Sequence, residues 1–335
     1  VLTRFRLLAY NTYLIHIRVP TRSFGRDVLA APAYRHRARE IGEALAGHYD
    51  AVALMEVFDE NEQAAVLEGW SARRAEHVLG PGPSWLRKSS GLVTVVDGPT
   101  VIRTAHHRYE QRGSLRHDAD VLSNKGVLLT EIDVDGPANL ELYSTHLVAG
   151  NDFRPRGEGV HPPNPFRLQQ VEELLAFVRR VHRPANVALV VGDLNVDAAA
   201  ETGHAADEHR AVRAAFGREG FDDVWESHGA GAGYTFCEVG AAARICTPDP
   251  ADGRYCAEPV GDDPDVAAKR LDHAWLERPT EHHRIAAAVA AVRRRSFPRA
   301  AGAPDHDAMP FLSDHLALDV ELAMSPTATP PADDD

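Results

Sequence analysis

The sequence predicts an α/β protein built as one large domain, and three observations carry that reading. Val187–Val191 is an unbroken apolar run ending in Gly192-Asp193-Leu194-Asn195, the pattern of a strand covered on both faces. Between such runs the apolar residues fall at helical spacing, as in Ala38, Ile41, Leu45 and Ala46, and again in Leu168, Val171, Leu174, Leu175 and Val178. Finally, no stretch in the middle of the 335 residues has the composition of a linker, and this length can bury a large core. The domain is expected to run over 1–324, with a disordered Pro/Thr/Asp tail over 325–335.

In chain order, Arg4–Tyr10 alternates polar and apolar residues and reads as a strand ending at Asn11. A helix over Tyr34–Ala46 carries the chain to a short apolar strand, Ala51–Met55, capped by Glu56. Helical spacing resumes over Asp59–Trp70. Leu92–Val96 and Val101–His107 read as a hairpin around Asp97-Gly98. Ser123–Ile132 and Leu140–His146 read as a second strand pair joined through Asp135-Gly136. A Pro/Gly-rich loop, 151–165, is long enough to cover a site. Helices over Phe166–Val181 and Glu201–Phe216 flank the Val187 strand, and 227–264 reads as an irregular excursion. Strands over Arg270–Leu276, Arg284–Val292 and Phe311–Leu322 close the chain.

The net charge of −13 argues against a broad nucleic-acid footprint, because binding a polyanion relies on a basic surface. No apolar run approaches the roughly 20 residues that span a bilayer. The chain enters a strand soon after Val1, so a signal peptide is expected to have been removed or never present. Cys237, Cys246 and Cys256 share one Gly-rich segment, which suits one loop disulfide with a leftover thiol, or three unpaired cysteines; no C-x-x-C spacing points to zinc.

Several strand-like runs end in polar side chains that can do chemistry: Asn11, Glu56, His146, Asp193 with Asn195, and Asp314 with His315. Each has an ordinary structural reading too, a turn for Gly-Asp-Leu-Asn, a salt bridge for Glu56, a hydrogen-bonded histidine for His146. Their joint recurrence favours a site. Side chains two apart on a strand point the same way, so Asp193 and Asn195 are expected to converge at one strand mouth. A carboxylate at a buried strand end needs a partner, and for Glu56 a cation is the natural one. His273 alternates to the opposite side from Asp272 and is expected to be structural or exposed.

In this order, Asn11, Glu56, His146, Gly192-Asp193-x-Asn195, Leu271-Asp272 and Ser313-Asp314-His315 resemble the endonuclease/exonuclease/phosphatase superfamily of metal-dependent phosphodiesterases. Met55–Asp59 is similar to that family's Asn-Glu-Val-Phe-Asp, and Ser123-Asn124-Lys125-Gly126 with Thr145-His146-Leu147 is similar to its neutral sphingomyelinase C branch. The resemblance implies a DNase I-like, four-layer α/β sandwich with the site at one end between two mixed sheets. It implies Mg²⁺, or another divalent ion such as Mn²⁺ or Co²⁺, held by Glu56, Asn11 and Asp314. It makes His315 the general base oriented by Asp272, with Asp193 and Asn195 orienting water and phosphoryl group and His146 donating toward the phosphate or leaving oxygen. Lys125 is either a source of positive charge near the site or a solvated strand-end lysine. The implied substrate is sphingomyelin, a related phospholipid or a small phosphodiester, acted on by a secreted monomer with peripheral membrane contact and no long nucleic acid; the alternative is a nuclease or phosphatase of the same superfamily acting on a small soluble phosphate ester. Secreted members of this branch carry an aromatic-tipped hairpin before the Ser-Asp-His motif; here 296–311 has only Phe297 and Phe311.

Overall fold

The computed structural model describes residues 3–19, 26–84, 87–113, 119–149, 164–239, 266–306 and 309–327. The first part of the chain forms β1 (Thr3–Asn11), β2 (His16–Val19), β3 (Arg26–Ala30), α1 (Tyr34–Leu45), β4 (Ala51–Met55), α2 (Glu60–Glu68), β5 (Ala75–Leu79) and β6 (Val93–Asp97). There follow β7 (Val101–Arg108), β8 (Gly126–Ile132), β9 (Leu140–His146), α3 (Pro165–Val181), β10 (Val187–Asp193), α4 (Gly203–Arg218), β11 (Phe221–Asp223) and α5 (Val224–His228). The last elements are β12 (Phe236–Val239), β13 (Val266–Lys269), β14 (Asp272–Glu277), β15 (Ile285–Arg295) and β16 (Ala317–Pro326).

Two mixed six-stranded sheets, ordered β15-β16-β1-β4-β6-β5 and β11-β14-β10-β9-β8-β7, dominate the molecule. β1 runs parallel to β4 and β10 parallel to β9, while β16 and β14 pair with them antiparallel. Odd and even residues of each central strand enter different cores. Leu7, Ala9, Leu140, Leu142, Val187, Leu189 and Val191 meet between the sheets. Leu8, Tyr10, Val52 and Leu54 pack outward on Ala38, Ile41, Leu45 and Val66 of α1 and α2. Tyr143, Ala188 and Val190 pack outward on Val171, Leu174, Val212 and Phe216 of α3 and α4. The order helix, sheet, sheet, helix is the expected four-layer α/β sandwich, and double burial explains why β10 is apolar from Val187 to Val191.

The proposed hairpin around Asp97-Gly98 does not form. β6 pairs with β4 and β5, whereas β7 pairs with β8 in the other sheet. The turn signal marks a reversal of direction and says nothing about partners. The burial patterns tell the strands apart: β6 is buried at four successive positions, whereas β7 alternates and is an edge strand, with Ile102 exposed. Segment 227–264 is not wholly irregular, since β12 lies within it and pairs with β13. Ser325 and Pro326, assigned to the tail, belong to β16 and pair with Ala286 and Ile285. The loop 151–163, Cys246, Cys256 and 328–335 lie outside the described residues, and the disulfide expectation lies there with them.

At the end of sheet two where β9 begins, Glu131 and Glu141 face each other across β8 and β9, both fully buried. Asn186 Nδ2 donates to both, at 3.1 and 2.9 Å, and Arg103 also reaches both. Tyr143 Oη donates to Glu141 at 2.6 Å, and His182 Nδ1 lies 2.9 Å from it. Burial works against these charges, but the hydrogen bonds outweigh it and hold both glutamates below the ordinary range. Burial likewise opposes charge on His182, and the bond to Glu141 with the charge of Glu277 raises it. Depressed carboxyls contribute stability above their unfolded pKa, about 4.3, and lose it as pH falls through the folded value. The raised His182 contributes below about 6.5 and loses its share as pH rises through its folded value. Glu141→Gln should therefore cost about 3–5 kcal/mol at pH 6, and urea melts from pH 6 to 3 should show a shallower acid loss in the variant than in wild type.

Candidate active site

The same period of two that builds the central core delivers the polar strand ends to one mouth. Asn11 continues the inward series Leu7, Ala9; His146 continues Leu140, Leu142; Asp193 continues Val187, Leu189, Val191. On β14, Ala274 faces the core and Asp272 shares its side, while His273 points to the outer face, where its Nε2 lies 2.9 Å from the Val196 carbonyl. His273 is thus structural and buried. Register aligns the row: Asp193 pairs with His146 on one side and with Asp272 on the other. Gly192 makes this row possible, because a Cβ there would stand 1.9 Å from the Thr145 carbonyl oxygen.

His315 Nδ1 lies 2.7 Å from Asp272 Oδ2, and its Nε2 lies 3.8 Å from Asp193 Oδ2. The other imidazole, His146, places Nε2 at 3.7 Å from Asp193 Oδ2 and 3.8 Å from Glu56 Oε1. Asn11 Nδ2 donates to Asp193 at 2.8 Å and to Glu56 at 3.3 Å. Its Oδ1 accepts from the Tyr13 N–H at 3.1 Å, so Asn11 bridges two carboxylates through its nitrogen and keeps one lone pair of its oxygen unused by that bond. Asn195 departs from expectation. The strand stops at Asp193, Asn195 turns into the left-handed region at φ 52°, its N–H donates to Asp193 Oδ1, and its side-chain amide donates to the Leu147 carbonyl. An Asx turn, not the strand period, sets its place beside the cluster.

Lys125 is not a solvated lysine. It is buried, and its Nζ reaches Leu147 O at 2.7 Å, Asp120 Oδ1 at 2.9 Å and His146 Nε2 at 3.0 Å. An ammonium only donates, so His146 Nε2 accepts and the ring proton sits on Nδ1. Burial pushes His146 well below the ordinary imidazole range, and Lys125 and His315 add to this. A donor role for His146 through Nε2 therefore requires Lys125 to give up this bond.

The remaining electrostatics are those of crowded carboxylates. Glu56 is pushed up to about 8, by burial first and then by the charge of Asp314. Burial and Asp272 raise Asp193 to about 6, and burial raises Asp314. For His315 burial opposes the charge, yet Asp272, Asp193 and Asp314 prevail and hold it at about 10. Glu56 Oε2 is buried without a hydrogen-bond partner, and Glu56 itself adopts φ 66°, a strained conformation for a residue with a side chain. An orphaned carboxylate oxygen amid excess negative charge suits a hard divalent cation. The ligand atoms of Asp193, Asp272 and His315 also lie within 4.8 Å of one another, but there the Asp272–His315 hydrogen bond already occupies the pair.

One support was not visible as a motif. Arg37 is fully buried, and its guanidinium donates to the carbonyls of Pro32, Thr12, Tyr13 and Leu312. It staples the turn after Asn11 to the loop carrying Asp314 and His315. Ser313 Oγ completes the join at 2.6 Å from the Asn11 carbonyl. In sequence Arg37 is one of three alternating arginines, with Arg35 and Arg39 exposed; only its helical face, shared with Tyr34, Ala38 and Ile41, distinguishes it. The close approach at Gly192 gives a test. Gly192→Ala should force β9 and β10 apart at the site, lowering stability by about 1–3 kcal/mol in chemical denaturation and weakening divalent-cation binding in calorimetry.

No protein-family model matches the chain. It is 32% identical over 173 residues to a putative neutral sphingomyelinase of Caenorhabditis elegans, an alignment covering 48% of this chain and 36% of that protein. A sphingomyelinase of Dictyostelium discoideum is matched over 39% of its length, so the chain spans well under half of these two curated relatives. Sphingomyelinase C from Streptomyces griseocarneus superposes with TM-score 0.56 at 18% identity, over 96% of this chain and 99% of that one. Zebrafish TDP2 complexed with a single-strand DNA product superposes with TM-score 0.59 at 15% identity, over 95% of this chain and 98% of that one. In sequence the chain resembles neutral sphingomyelinases, and its fold is the DNase I-like sandwich shared by the endonuclease/exonuclease/phosphatase superfamily.

Proposed function

We propose that this protein is a divalent-cation-dependent phosphodiesterase of sphingomyelinase C type, cleaving sphingomyelin or a related phospholipid to release a phosphorylated head group. The observation that carries the reading is the hydrogen-bonded pair Asp272–His315, with His315 Nε2 turned toward Asp193 at a mouth where Glu56 Oε2 lacks a partner. The relatives' names supply the lipid, and Mg²⁺ is the ion best matched to an oxygen-only donor set. Secretion belongs to the same reading and rests on the resemblance to bacterial sphingomyelinases.

A bound divalent cation supplies charge stabilisation to the non-bridging phosphate oxygens. Glu56 and Asp314 would hold it. His315 accepts the proton of the attacking water at Nε2, while Asp272 keeps the other ring proton on Nδ1 and stabilises the imidazolium that forms. As a base His315 must be neutral. Its carboxylate neighbours Asp272, Asp193 and Asp314 favour the protonated form, and the charge of a bound cation would oppose them. Asp193, held by Asn11 and by the Asn195 N–H, faces His315 Nε2 and orients the water.

One observation favours a second reading, a micellar or soluble phosphate ester in place of a bilayer. Among the described residues between β15 and β16, Phe297 packs against Tyr10 with ring centroids 5.4 Å apart, and Phe311 is half-buried and bridges Pro298. Neither aromatic is free to enter a membrane.

Hydrolysis of sphingomyelin should be measured in detergent micelles and in bilayer vesicles, with Mg²⁺ and with EDTA. Micelle activity that vanishes with EDTA and falls about 10²–10⁴-fold in His315→Ala supports the lipid reading, and inactivity on vesicles alone supports the second. Absence of activity on both, with activity on soluble phosphodiesters, overturns sphingomyelin as substrate. Because Glu56 sits near 8, Mg²⁺ binding at pH 7 should release protons in calorimetry across two buffers, and Glu56→Gln should abolish both the release and most of the binding.

A further inference from the structure

We propose that Thr235 is a positioning residue that sets the Asp272–His315 pair, acting from a segment with no catalytic side chain of its own. This inference rests on the reading of that pair as the site's base and its orienting carboxylate.

Thr235 is fully buried and lies just before β12. Its Oγ1 accepts the backbone N–H groups of both Leu271 and Asp272, each at 3.1 Å. Its carbonyl accepts the Leu316 N–H at 2.8 Å, one residue beyond His315, and its own N–H donates to the Lys269 carbonyl at 2.9 Å. The following residue, Phe236, forms an isolated backbone bridge with His315 and packs on its ring at 4.9 Å between centroids. One residue therefore bonds to the backbone of Asp272 and to that of Leu316, next to His315, and so ties together segments from opposite sheets: Asp272 opens β14 in one, and His315 precedes β16 in the other.

The Asp272 carboxylate has little else to aim it. Oδ2 meets His315 Nδ1, while Oδ1 is buried without a hydrogen-bond partner. Its direction is set by its backbone, and that backbone N–H ends on the Thr235 hydroxyl. Backbone hydrogen bonds within a strand ladder would serve a structural role equally well. A threonine hydroxyl taking two consecutive N–H groups where β14 begins, with the same residue's carbonyl holding the partner histidine's loop, is a clamp on the geometry of the pair.

The test compares wild type, Thr235→Val and Thr235→Ser by steady-state kinetics with Mg²⁺ on micellar sphingomyelin or the best phosphodiester found, and by proton NMR of the hydrogen-bonded His315 Nδ1–H. That downfield resonance is assigned by its loss in Asp272→Asn. Thr235→Val should lower kcat about tenfold to a hundredfold with KM little changed, and should move or broaden the resonance. Thr235→Ser, which keeps the hydroxyl, should restore both. Full kcat and an unmoved resonance in Thr235→Val overturn the proposal. So does a serine variant as impaired as the valine one, which would make the methyl packing the cause. If Thr235→Val does not fold, Thr235→Cys, with a weak acceptor of similar size, takes its place and should lie between the other two. If wild type hydrolyses no phosphate ester, the functional reading fails, and the resonance alone still decides whether Thr235 sets the pair.

Discussion

Keeping acidic side chains together at the mouth between the sheets is the constraint on which the rest of the site depends. Glu56, Asp193, Asp272 and Asp314 crowd one end of the sandwich, where burial raises Glu56, Asp193 and Asp314 and neighbouring carboxylates raise Glu56 and Asp193 further. Asp272 is met by His315 and Asp193 by Asn11, but Glu56 keeps a buried oxygen without a hydrogen bond. An arrangement of this kind persists only if the surrounding fold over-determines it. The scaffold does so with a fully apolar core directly beneath, with a glycine at 192 that lets β9 and β10 close up, and with buried Arg37 tying two of the site's loops together.

The two ends of the sandwich show how differently a cluster of buried acidic side chains can be satisfied. Glu131 and Glu141 are as buried as anything at the site, yet Asn186, Arg103, Tyr143 and His182 satisfy them and hold them ionised. At the mouth the balance is reversed, and a glutamate is driven toward its neutral form. Glutamates at the two ends of the sandwich are thus shifted in opposite directions, and the difference is the supply of donors.

Much of the site was legible because strand geometry is regular. A side chain that continues an inward-facing series at the last position of a buried strand must point into the mouth, and this holds for Asn11, His146 and Asp193. Where the chain leaves regular structure that logic ends. Asn195 lies past the strand in a left-handed turn, and Asn11 turns its nitrogen to the carboxylates because a backbone N–H takes its oxygen. The separation of β6 from β7 and the pairing of β12 with β13 were hidden for a related reason: a turn residue reports the local backbone and carries no information about which distant strand supplies the partner.

By itself the sequence determined the α/β class, the succession of buried strands and most of the polar residues delivered to their ends, since apolar periodicity and residue chemistry are local properties of the chain. Only the tertiary structure decided which of those residues share a bond, that Lys125 is buried against His146, and that Arg37 and Thr235 hold the loops on which Asp272 and His315 depend. Those contacts join segments far apart in sequence, as with Arg37 and Leu312, and the distance between them is fixed by how two sheets pack, which no stretch of the chain encodes alone.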